Sequence, residues 1–140
     1  MSDSDSVQDA VRIGGAATLL HIGLTRASFK RGSGAITSLQ TVDVKIMPGY
    51  ALHGAVLDCQ LKYEVRVRSG RANVASLGCE YEAQFELPEE FTCTDTELVA
   101  FGNVTVLRAV HPYLRELASS SFARLGMPPV TVDLLKIPVL

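Results

Sequence analysis

Residues 57–68 read LDCQLKYEVRVR, and every odd position is apolar while every even position is polar. Leu57, Cys59, Leu61, Tyr63, Val65 and Val67 therefore face one way, and Asp58, Gln60, Lys62, Glu64, Arg66 and Arg68 the other. Only a period of two residues sorts a chain like this; a helix would mix the two sets. At about 3.3 Å per residue the segment runs roughly 40 Å, about twice the usual strand. It is expected to be the central strand of an antiparallel sheet.

Downstream, Ser69 to Asn73 reads as a hairpin turn, and from Ala75 to Leu87 the apolar residues Leu77, Cys79, Tyr81, Ala83, Phe85 and Leu87 alternate again. The polar side of this partner strand carries Glu80, Glu82 and Glu86, opposite Lys62, Arg66 and Arg68, so cross-strand ion pairs worth about 0.2–1 kcal/mol each are expected. Carboxylates at alternate positions of an open strand read as a solvated face, not as acid–base machinery. Upstream, Val42, Val44 and Ile46 form another strand, ended by Pro48-Gly49. In the first apolar stretch, Leu20, Ile22 and Leu24 change parity to Ala27 and Phe29, which predicts a bulge near Thr25 and Arg26 on an outer strand with either face open to contact. The connection between these strands contains Gly32-Ser33-Gly34, a loop with no phosphate-cradle context, and two apolar residues, Ile36 and Leu39.

Past Pro88, Thr94-Asp95-Thr96-Glu97 is a capping box that starts a helix, with Thr94 as N-cap. Gly102-Asn103 marks a break, and Pro112 a kink or restart. A second, longer helix carries Val110, Tyr113, Leu114, Leu117 and Leu125 at helical spacing, widened by Ala118 and Phe122, and Gly126 stops it. Val130, Val132 and Leu134 then alternate once more. Strands followed by helices give the α+β class.

The chain has 140 residues, 47% of them hydrophobic, and a net charge of −2, which suits one domain with a real core. Residues 1–10 read as a loose acidic tail and residues 11–140 as the folded domain. Positive residues are interleaved with negative ones along the chain, so no nucleic acid is expected. Cys59, Cys79 and Cys93 form no metal-spaced pair and read as small hydrophobes in a reducing compartment. With no leader-like start and no long apolar run, a cytosolic protein without membrane insertion is expected. No nucleophile elbow, phosphate loop or metal motif occurs, and His21 in a strand and His53 in a loop read as structural; no catalytic residue, metal or cofactor is expected.

One stretch is more specific: His-Pro-Tyr-Leu-Arg-Glu at 111–116, then Ser119-Ser120, Arg124, Gly126 and Pro128-Pro129-Val130. It resembles the export chaperone SecB, whose helix carries a Pro-Tyr-x-Arg-Glu run followed by small residues and a Pro-containing exit. The resemblance is closer to stand-alone SecB-like chaperones of actinobacterial type, some encoded with toxin–antitoxin pairs, where a Glu-Leu start to the first helix keeps the distance that Glu97-Leu98 keeps here. It implies a four-stranded antiparallel sheet with two C-terminal helices on one face, and a homotetramer built as a dimer of dimers. It also implies ATP-independent holding of unfolded or preprotein polypeptides, in export or in antitoxin protection, with an antitoxin or the translocation motor ATPase as further partners. The implied client groove takes Ile36, Leu39 and Val42 from the crossing loop and its strand, and Tyr113, Leu114, Leu117, Phe122 and Leu125 from the helix. The implied motor-docking surface falls on Arg26, Lys30, Glu80 and Glu82. There the sequence departs from the family: Arg26 and Lys30 stand where two acidic residues are expected, and the groove has no tryptophan. The competing reading is a small-ligand-binding or enzymatic α+β domain, which calls for an enclosed cavity with convergent polar groups.

Overall fold

A computed structural model describes residues 12–35, 40–89 and 91–127. Four strands come first: β1 (Thr18–Arg31), β2 (Thr41–His53), β3 (Val56–Ser69) and β4 (Ala72–Glu86). Helix α1 (Asp95–Phe101), a π turn (Gly102–Val106) and helix α2 (Leu107–Arg124) follow. The strands form one antiparallel sheet in the order β1-β4-β3-β2, so the alternating stretch at 57–68 is an inner strand. The tail at 1–10, the alternation at Val130 to Leu134, and Ile36 and Leu39 lie outside the described residues.

The odd face of β3 and β4 is the core. Leu57, Leu61, Val65 and Val67 are fully buried, and Tyr63 meets Tyr81 edge-on at 6.1 Å. Both helices lie on this face. Phe101 packs edge-on against Phe85 at 5.1 Å, and Val110, Leu114, Ala118 and Phe122 bury the apolar stripe of α2, which runs nearest β4 and β1.

β1 needs two irregularities to fit this arrangement. Its register slips at Leu20 and again at Thr25, the second where the parity change places it. Before the first slip Leu19 faces Phe85, between the two Ile22 faces Ala83 and Leu24 faces Tyr81, and after them Ala27 faces Cys79 and Phe29 faces Leu77. The bulges thus keep all five on the helix side, and the strand does not turn an apolar side to each face as its sequence suggests.

Two other expectations need correction. β2 does not end at Pro48-Gly49; it continues to His53, which closes the strand instead of sitting in a loop. As an outer strand it has amides that no ladder uses, so a proline is tolerated. Of the expected pairs between β3 and β4, Lys62–Glu80 forms at 3.7 Å, but Arg66 turns to Glu64 and Arg68 to Asp43 of β2. The register explains this, since Arg66 lies opposite Ser76 and Arg68 opposite Asn73.

The helical segment begins as its capping box requires. The Glu97 amide donates to Thr94 Oγ1, and the Thr94 amide donates to Glu97 Oε1, both at 3.1 Å. Arg12 adds an ion pair to Glu97 and a bond to the Thr92 carbonyl at 2.9 Å, with its guanidinium 4.8 Å above the Phe91 ring. The expected break at Gly102-Asn103 is the π turn, through which the backbone stays helical. Gly102 is there for space: a Cβ on it would lie 2.0 Å from Cζ of Tyr50, whose hydroxyl bonds Asn103 Oδ1 at 3.3 Å. Pro112 sits inside α2 without ending it. The helix stops in a Schellman motif, with Gly126 at φ 76° and the Met127 amide donating to the Phe122 carbonyl at 3.2 Å.

Thr94→Ala should cost about 1 kcal/mol in chemical denaturation. The Glu97 carboxyl is held below its ordinary value of 4.5, chiefly by the Thr94 amide, with partial burial opposing and Arg12 reinforcing. Its contribution is therefore complete above that value and fades as pH falls through the lower folded value. As pH falls below 4.5, wild-type stability should drop more steeply than that of Glu97→Gln.

Candidate functional site

The buried polar groups of the core are poor reagents. Burial, with Asp58 and Glu80 adding a like-charge effect, pushes the Cys59 and Cys79 thiols up to about 12. Burial likewise pushes the Tyr81 phenol up to about 12 and raises that of Tyr63. All four are neutral near pH 7. Among the described residues no group of three His, Cys, Asp or Glu side chains converges on a metal position. What the described residues present instead is exposed apolar surface.

That surface lies on the helix side, where α2 does not cover the sheet to its edge. Tyr113 projects from α2 with 50% of its area exposed, its ring tilted against that of Tyr81 at 6.5 Å. Beside Tyr81 on β1 is Leu24, 46% exposed, and farther along the strand Phe29 is 37% exposed. Tyr81 forms the floor between them. These residues give a strip of partly open side chains along the β1 side of the helix.

The groove residues named from the sequence separate into three groups. Tyr113 is open. Val42, Leu117 and Leu125 are half-buried against the rim of the core, and Arg31 ties the Leu125 carbonyl to β1 at 3.0 Å. Leu114 and Phe122 are fully buried under α2, so they hold the helix to the sheet and offer nothing to a ligand in this chain. Ile36 and Leu39 fall outside the described residues. Leu24 and Phe29 were missed; the parity change at Thr25 marked β1 as irregular, but only the register shows on which face its apolar residues meet. Arg26, Lys30, Glu80 and Glu82 do share a face, the polar one opposite the helices, with Arg26 in register with Glu80 and Lys30 with Ser76.

No family model matches the sequence, and no curated protein does. The backbone does match: a SecB-like chaperone of Mycobacterium tuberculosis, solved in complex with a ChAD peptide from the HigA1 antitoxin, superposes with a TM-score of 0.82. The match covers 94% of this chain and 99% of that one, at 24% identity. This chain has the SecB-like fold. A protein of unknown function from Streptococcus agalactiae is similar at a TM-score of 0.52 and 8% identity, covering 84% of this chain and 97% of that one. The four-stranded sheet with helices on one face is thus the SecB-like arrangement expected from the helix motif. Among the described residues no helix is long and apolar enough to cross a membrane.

Leu114→Ala should destabilise the SecB-like fold by about 2–5 kcal/mol, and Tyr113→Ala by no more than about 1.5 kcal/mol, in urea titrations of the two variants. With a thiol reagent under native conditions, partly exposed Cys93 should react well before Cys59 and Cys79, which should appear only as the protein unfolds.

Proposed function

We propose that the chain is an ATP-independent holdase that binds unfolded polypeptides, of which an antitoxin is one kind. The observation that carries this reading is the uncovered strip of Tyr113, Leu24 and Phe29 on a fold that, in the Mycobacterium tuberculosis protein, was solved with an antitoxin peptide bound. A holdase needs apolar surface, an open approach and no chemistry, and the helix side of this sheet supplies the first two.

The strength of the strip supports an assembly. Fully burying one large apolar side chain contributes about 1.5–3 kcal/mol, so closing three that are already half covered gives roughly 2–5 kcal/mol. A micromolar complex needs about 8 kcal/mol. Several strips engaging one long client would make up the difference through effective concentration. We therefore assign a homotetramer, with β1 edges joining two chains and the exposed face of α1, where Val99 lies, joining the pairs. The setting is cytosolic, and each chain contributes one domain from residue 11 onward. Arg26 and Lys30 give β1 cations where a partner selected for acidic contacts would be repelled, which favours antitoxin-type clients over coupling to the translocation motor.

Diluting a denatured client into buffer with stoichiometric protein and no nucleotide should suppress light scattering. Tyr113→Asp should lose most of that capacity while keeping its circular dichroism and its four-chain mass. Undiminished aggregation with several unrelated clients would defeat the reading.

A further inference from the structure

The face of the sheet opposite the helices is not flat. Two adjoining hollows of about 470 and 270 Å³ run along β4, sharing Glu64 and Gly78. Their floor is low because β4 presents Ser76 and Gly78 there, and a Cβ on Gly78 would meet nothing within 4 Å. The neighbouring strands form the banks. In register with these floor residues are Ser28 and Lys30 of β1 on one side and Glu64 and Arg66 of β3 on the other.

The charge of this trough is one-sided. Arg26, Lys30, Lys62, Arg66, Arg68 and Arg71 line it, against the carboxylates of Glu64 and Glu80. Arg66 pairs with Glu64, Lys62 with Glu80 and Arg68 with Asp43. Arg26, Lys30 and Arg71 have no carboxylate within ion-pair distance among the described residues. Cations interleaved with anions along the chain are thus gathered by the sheet register at the end of the molecule nearest the β3–β4 turn.

We propose that this trough docks an acidic polypeptide segment in extended conformation, on the face opposite the apolar strip and independently of it. From Glu80 to the turn, β4 spans about 25 Å, enough for roughly eight extended residues. Side chains of an extended segment point alternately to either side, so its carboxylates reach the unpaired Arg26 and Lys30 on β1 and Arg71 at the β3–β4 turn. Glu64 and Glu80 within the trough repel a continuous phosphate backbone, whereas a peptide can place donors or small residues beside them. That distinction selects an acidic peptide over a nucleic acid.

The test is fluorescence anisotropy of the full chain with a fluorescein-labelled decapeptide in which pairs of adjacent glutamates, which face opposite sides of an extended chain, alternate with pairs of serines, at low salt. The peptide should bind, the matching glutamine peptide should not, and added salt should weaken binding. Lys30→Gln combined with Arg71→Gln should weaken it about tenfold, with suppression of client aggregation unchanged. Gly78→Val, which fills the floor at a position where a strand favours a β-branched residue, should weaken it while the thermal midpoint is kept. Unaltered peptide affinity in both variants would overturn the proposal. So would an oligothymidylate of equal charge that bound as tightly, or loss of client holding together with peptide binding, which would place both ligands on one surface. Because client holding is read separately, failure here is distinguishable from failure of the holdase reading.

Discussion

The strict alternation of two long inner strands is the constraint from which the rest follows. In β3 and β4 each step along the backbone reverses the side chain, so one register sets two surfaces at once. The pairing that puts Leu61 beside Tyr81 in the core also puts Lys62 beside Glu80 in water. A slip of one residue would turn every apolar side chain out and every charge in, a penalty large enough to fix the register without help from the turns. The helices then have one face to cover, and the outer strands one ladder each to extend.

The outer strands depend on that register in different ways. β2 follows it for its whole length and carries a proline where an inner strand would not. β1 follows it only by inserting residues at Leu20 and Thr25. Those insertions bring Leu19, Leu24 and Phe29 to the same side as α2, where the helix is too narrow to hide them. The open apolar strip is therefore a product of strand irregularity plus the width of a single helix, and neither alone would leave it.

The inner strands, the capping box at Thr94, the helix stop at Gly126 and the bulge at Thr25 could all be read from the sequence, because each is a local pattern with one physical solution. The passage of β2 through Pro48 could not, since tolerance of that residue depends on the strand being outermost. The π turn was hidden as well: Gly102-Asn103 signals a break, and only the Tyr50 ring, distant in the chain, shows that the glycine makes room while the helix continues. In the candidate site the spacing of Tyr113, Leu114, Leu117 and Phe122 defined a stripe but not which members lie under its centre and which at its rim. Leu114 and Phe122 belong to the first set and Tyr113 to the second. The cations on the polar face were dispersed in sequence, and the order β1-β4-β3 is what assembles them.

The π turn between α1 and α2 also fixes an angle. One surplus residue in a helical path rotates everything after it by about 100° relative to what comes before. The cap at Thr94 and the Phe101 contact anchor the upstream part, so the five residues Gly102–Val106 act as a dial that points Leu114 inward and leaves Tyr113 at the rim. Losing or gaining a single codon there would re-aim the whole downstream stripe in one step, changing which residues a client meets without replacing any of them.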